Sequence, residues 1–253
     1  MFMQRIRKAT KKNRGVLIVV VALLTVGLIG SFAVWNSGDY ANANQSGGGT
    51  VEEQISSYQD YLAGIQADST AGADYEKVNT LASGYQYLYQ LYAQAQAETT
   101  DAAKLSSYQV AAQVAAAKAA QFYQQSLSLA PETLNEVGRA RILANQGYAS
   151  YLAGDSKGAD AAYTAAIALA PTDLELANNY ASILFDSQGL EATINYLNSY
   201  IAGLPMGSAN IEQAKGLISK YQKIAEMLPP AVSQWKGGWV LPAFSLCLGG
   251  EEN

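Results

Sequence analysis

Residues 147–171 read GYASYLAGDSKGADAAYTAAIALAP, and their spacing decides how the chain folds. Gly147, Gly154, Ala159, Tyr163, Ala166 and Pro171 succeed one another at intervals of 7, 5, 4, 3 and 5 residues. Small residues at such points let two helices approach closely, and Gly154-Asp155 supplies the break between them. Tyr163 then fills the seam, and Pro171 stops the second helix. The stretch predicts a pair of tightly packed helices.

Helical signals extend outward on both sides. Val51, Ile55, Tyr58, Leu62 and Ile65 form one amphipathic stripe. Asp68 to Asp74 reads as a turn, and Tyr75 to about Ala97 as a second helix with Val78, Leu81, Tyr85, Leu88, Tyr89 and Tyr92 on a broad face. Asp101 caps a third helix that runs to about Leu129 and stops before Pro131. Continuous over 102–129, that helix is a rod of roughly 42 Å. Glu132 to Ala153 and Asp155 to Ala170 are the pair around the seam, and Thr172 to Ser187 and Leu190 to Gly203 the next. Ser208 or Asn210 opens a last helix, to about Leu228. It carries Ile211, Ala214, Ile218, Tyr221, Ala225 and Leu228 on one side and Glu212, Lys215, Lys220 and Lys223 on much of the rest. The predicted fold class is all-α, with residues 51–228 as its domain.

The Gly, Gly, Ala, Tyr and Pro positions of residues 147–171 resemble a tetratricopeptide repeat. Pro205 falls 34 residues after Pro171, which is that family's period. The segment ELANNYASILFDSQGLEATINYLNSYIAGLP between them repeats the plan more loosely. The hairpin before Pro131 departs from the family, since its helices are two to three times longer than ordinary ones and Pro131 to Pro171 is 40 residues. The resemblance implies a helical-hairpin scaffold that binds other proteins, ended by a helix with a polar outer face.

Composition narrows the chemistry. The chain has no His and one Cys, Cys247, so intrachain disulfides and zinc or haem sites built on His or Cys clusters are excluded. Catalysis with a His base is excluded too. Gly47-Gly48-Gly49 comes after no strand and lacks the Lys of a phosphate loop. Carboxylates such as Glu52-Glu53 and Asp173/Glu175 stand at helix starts, where they favour the helix dipole. No catalytic, metal or cofactor role is predicted, and the function reads as binding.

Charge is segregated. Arg5, Arg7, Lys8, Lys11, Lys12 and Arg14 precede any acid, and the remaining 10 Lys and Arg face 21 Asp and Glu, leaving −11 after Arg14. A globular part that acidic does not suit nucleic acid. The basic cluster, residues 1–14, adjoins the uncharged 21-residue stretch GVLIVVVALLTVGLIGSFAVW, residues 15–35. As a helix this stretch spans about 31 Å, enough to cross a bilayer and bind its lipid. The basic flank places the N-terminus in the cytoplasm and the rest beyond the membrane. Ala41-Asn42-Ala43 offers a signal-peptidase site, but the apolar run exceeds the about 7–15 residues of a signal-peptide core. An uncleaved anchor is therefore expected. The alternative is a pilin-like subunit polymerised through this helix, because a basic leader ending in Gly15 resembles a type IV prepilin. That family's Glu is replaced by Val20. Residues 36–50 are a Gly/Ser/Asn-rich linker, and residues 229–253 an apolar tail expected to be buried.

Taken with the resemblance, the first helix of each repeat lines a binding groove. It presents Arg141, Ala144, Asn145, Tyr148, Tyr151 and Leu152 from one repeat, and Glu175, Asn178, Asn179, Ser182 and Phe185 from the next. Some tetratricopeptide proteins clamp a terminal carboxylate with Lys and Asn at such positions. Here the Asn residues are present and the Lys residues missing, so a strong carboxylate clamp is not expected. A groove of Tyr, Asn and one Arg suits an extended or helical peptide. The competing reading is that Tyr148, Tyr151 and the Tyr85/Tyr89/Tyr92 stripe pack between helices. The layout is similar to bacterial membrane-anchored tetratricopeptide accessory proteins of the export channel, which implies a protein or peptide partner in the cell envelope.

Overall fold

Short acceptor side chains set most helix starts. Thr50 closes a capping box with Glu53 at the head of α1 (Val51–Ala67), and the Glu53 carboxylate accepts from the Thr50 N–H at 2.8 Å. Asp74 caps α2 (Tyr75–Glu98), Asp101 caps α3 (Ala102–Leu129) and Asn135 caps α4 (Glu136–Leu152). Asp155 caps α5 (Ser156–Leu169) and Asp173 caps α6 (Leu174–Gln188). The chain continues with α7 (Leu190–Gly203) and α8 (Asn210–Met227). The computed structural model describes residues 49–227, and among these the chain is all-α, with one 3-10 turn at Ala71–Ala73 and no strand. The basic segment 1–14, the apolar stretch 15–35, the linker as far as residue 48 and the tail 229–253 lie outside the described residues. No helix among the described residues is long and apolar enough to cross a membrane.

The seam between α4 and α5 is built as its spacing predicts. Ala159 and Ala166 are fully buried and Tyr163 is 2% exposed. A Cβ on Gly147 would stand 2.6 Å from Tyr163 Cδ2 and 3.2 Å from the Ala159 carbonyl oxygen, so only glycine permits this approach. Gly154 turns the chain between the helices at φ +87°, and Gly189 does the same between α6 and α7 at φ +89°. The two turns stand 35 residues apart.

One start differs from expectation. Helix α4 begins at Glu136 and not near Glu132, because Pro131 to Leu134 close a turn (Leu134 N–H to Pro131 carbonyl, 3.0 Å) and Asn135 supplies the cap one residue before Glu136. Arg139 pins that turn by donating to the carbonyls of Leu134 and Pro131.

The larger core joins α1 to α6, taking Leu176 and Ile183 from the last of these. Tyr85, Tyr89 and Tyr92 lie inside it, so this stripe packs between helices. Tyr85 stacks on Phe122 at 5.6 Å, and Tyr92 accepts a 2.7 Å hydrogen bond from Gln59. Gly84 admits Leu62 as Gly147 admits Tyr163, since a Cβ there would meet Leu62 Cδ2 at 2.5 Å. Two smaller clusters join α6, α7 and α8, one around Ala177, Tyr200, Leu204 and Ala214, the other around Ala181, Leu197 and Tyr221. Stacked rings tie the parts together: Tyr163 lies on Tyr180 at 5.1 Å, and Tyr180 meets Tyr196 edge-on at 4.9 Å. Helix α8 shows the expected division, with Tyr221 and Ala214 fully buried and Glu212, Lys215 and Lys223 exposed.

Candidate functional site

The residues expected to line a groove fall into two groups. On α4, Arg141 is exposed, Ala144, Asn145 and Tyr148 are half-buried, and Tyr151 and Leu152 are buried. On α6, Glu175 is exposed, while Asn178, Asn179, Ser182 and Phe185 are half-buried. Tyr151 and Leu152 belong to the larger core and Ala144 and Tyr148 pack against it, and three of the groove residues bond to or stack on neighbouring helices. Asn178 accepts from the Tyr221 hydroxyl through its side-chain oxygen at 3.2 Å, and Phe185 packs on the Tyr221 ring at 5.2 Å. Tyr151 donates to the Asp186 carboxylate, joining the last turn of α4 to the last turn of α6. Arg141, Asn145, Tyr148, Asn179 and Ser182 remain at least partly exposed. The Ser182 hydroxyl donates to the Asn179 carbonyl at 2.8 Å, a bond within α6.

Asp186 is the residue sequence reasoning missed. It stands four residues after Ser182 and seven after Asn179, so helical spacing puts it on their face of α6. Burial raises its carboxyl to about 6, with no positive charge acting against the shift. Tyr148 is close enough to feel it: burial first, and then the charge of Asp186, push the Tyr148 hydroxyl up to about 12. Tyr89, behind Tyr148, is raised by burial and then by Tyr148. The arrangement is a half-buried acid hydrogen-bonded to Tyr151 and within electrostatic reach of Tyr148, suited to hydrogen bonding and to cations.

Two open clefts lie elsewhere on the described residues. An open cleft of about 260 Å³ runs between α1 and α3 over Tyr85, Leu88 and Tyr92, with Val114 at its rim 52% exposed. Another, of about 520 Å³, lies beside Asp60, Tyr61, Asp68 and Lys77. There Lys77 pairs with Asp68 at 2.6 Å, and this hydrogen bond, together with those from Thr70, holds the Asp68 carboxyl well below its usual range. Among the described residues no group of three or more His, Cys, Asp or Glu is placed to hold a metal ion.

No family model matches the chain. No curated protein matches it either. Among solved structures it is similar to BtubC (BKLC) from P. vanneervenii, at 17% identity and a TM-score of 0.33, over 71% of this chain and 85% of that one. So distant a likeness carries no argument about fold or function.

Proposed function

We propose that this chain is a membrane-anchored, tetratricopeptide-like scaffold or accessory subunit, held outside the cytoplasm, that binds other proteins or peptides of an envelope complex. The observation that supports it is the accessible face of α4 and α6, where Arg141, Asn145, Tyr148, Asn179 and Ser182 offer one charge, amides, a hydroxyl and a ring. Rings anchor and amides fix a peptide backbone, which is how helical scaffolds hold extended or helical segments. The recurrence of a left-handed glycine turn after 35 residues supports a repeat. The apolar stretch 15–35 behind six basic residues supports the anchor and its orientation.

The second reading, a pilin-like subunit, draws on Gly15 at the end of the basic leader. Mass spectrometry of the native N-terminus separates the two: an intact Met1 supports the anchor, and a start at Val16 supports the pilin. For the binding face, mild crosslinking and co-purification are compared for wild type and Tyr148→Ala. If the variant folds and recovers its partner as well as wild type does, the groove assignment fails.

A further inference from the structure

The shared C-terminal end of α4 and α6 concentrates negative potential, and among the described residues no basic side chain is paired with it. Both helices end there, α4 at Leu152 and α6 at Gln188, and the hydrogen bond from Tyr151 to Asp186 holds the two last turns against each other. A helix C-terminus carries roughly half a negative charge and favours a cation. Neither helix has a basic residue in its last turn. Asp186 adds a full carboxylate to the same spot. The salt bridges among the described residues join Lys77 to Asp68 and Asp74, Lys104 to Glu52 and Lys215 to Glu212, and none includes Asp186. Burial and two negative helix ends both disfavour the charged carboxylate, which the Tyr151 hydrogen bond alone offsets only in part. Chains keep such arrangements where a ligand relieves them.

We propose that Asp186, with Tyr148 and Tyr151 as its walls, is a subsite for a basic side chain, a lysine or arginine of a bound peptide. Resting on the scaffold reading, it names the chemistry of the partner. The carboxylate has acceptor capacity beyond the single Tyr151 bond, and a guanidinium donates two parallel hydrogen bonds to such a group. Tyrosine faces attract the same cation. The neighbouring amides of Asn145 and Asn179 then meet the peptide backbone. The polarity is opposite to that of a pocket for a terminal carboxylate. Facing Asp186, the ionisable side chains of α4 are Tyr148, whose hydroxyl burial pushes up to about 12, and Tyr151, which donates to the carboxylate.

The test uses the full-length chain in detergent micelles and three blocked tripeptides, acetyl-Ala-X-Ala-amide with X as Arg, Gln or Glu. Nuclear magnetic resonance monitors the amides of residues 148–154 and 183–189 and the Asp186 carboxyl carbon. The Arg peptide is expected to move these signals at least about ten-fold more tightly than the Gln peptide, and to lower the Asp186 titration midpoint from about 6. The Glu peptide should leave them unmoved. In Asp186→Asn the preference for Arg over Gln should vanish. Equal response to Arg and Gln in wild type, or an Arg preference that survives Asp186→Asn, overturns the proposal. The wild-type comparison decides the matter even if the variant folds badly. Crosslinked partner recovery then separates this proposal from the scaffold reading. A partner held equally by wild type and a folded Asp186→Asn keeps the scaffold and removes the subsite. An Arg-selective site on a chain that captures no partner keeps the subsite and removes the scaffold.

Discussion

Replacing Gly147 by Ala should weaken this fold, although glycine to alanine within a helix ordinarily strengthens it. The new methyl would lie 2.6 and 2.9 Å from two carbons of the Tyr163 ring and 3.2 Å from the Ala159 carbonyl oxygen. Tyr163 cannot swing away, because it is 2% exposed and stacked at 5.1 Å on Tyr180. Overpacking of this kind costs about 1–3 kcal/mol, against a propensity gain of about 1 kcal/mol. The net expectation is a loss of up to about 2 kcal/mol, or a Tm fall of up to about 8 °C for a domain of this size. Gly216→Ala in α8 is the control, since nothing lies within 4 Å of its new methyl and it sits on an exposed face. That variant should gain about 0.5–1 kcal/mol. Urea and thermal unfolding monitored by circular dichroism measure both. A double-mutant cycle of Gly147→Ala with Tyr163→Leu should show coupling of about 0.5 kcal/mol or more. Should Gly147→Ala match or exceed Gly216→Ala in stability, the close α4–α5 approach is refuted.

Two more outcomes rest on buried polar groups. The Asp186 carboxyl titrates at about 6 in the folded chain against an ordinary 3.8, so the folded state favours its neutral form. That contribution is complete below the ordinary value and disappears as pH rises through the range from about 4 to about 6. Asp186→Asn should therefore be more stable than wild type at pH 7, by about 1 kcal/mol once solvent screening is discounted, and no more stable at pH 3. Equal unfolding midpoints of the two at pH 7 would count against the burial. The Tyr196 hydroxyl is buried with no hydrogen-bond partner among the described residues. Tyr196→Phe should leave urea stability unchanged or raise it by up to about 1 kcal/mol, and a loss beyond that would mean the hydroxyl has a partner.

Much of the fold was legible because it rests on local volume and spacing. Gly147, Ala159, Tyr163 and Ala166 specify their seam through side-chain size alone, and Asp101 with Pro131 brackets the long α3. The start of α4 was not legible, since Glu132, Thr133 and Leu134 tolerate a helix. The outcome there turns on one backbone hydrogen bond and on the Asn135 cap. The candidate site was legible in part. The tetratricopeptide resemblance implied that Arg141, Asn145, Tyr148, Asn179 and Ser182 share a groove, but nothing local says that α8 covers the opposite flank and takes Asn178 and Phe185. Asp186 was within reach of helical spacing from Ser182 and Asn179. Its character comes from Tyr151, 35 residues earlier, and from the meeting of two helix ends, and both are tertiary facts.

The most direct measurement is site-specific photo-crosslinking of the chain in its native cells. The probe replaces exposed Arg141 or half-buried Asn179 on the candidate face, and exposed Ala165 on α5 as the control. A discrete protein adduct from Arg141 and Asn179, with none from Ala165, is the expected result. Adducts in equal yield from all three positions, or from Ala165 alone, would contradict the assignment of the α4–α6 face as the surface this chain offers to its partner.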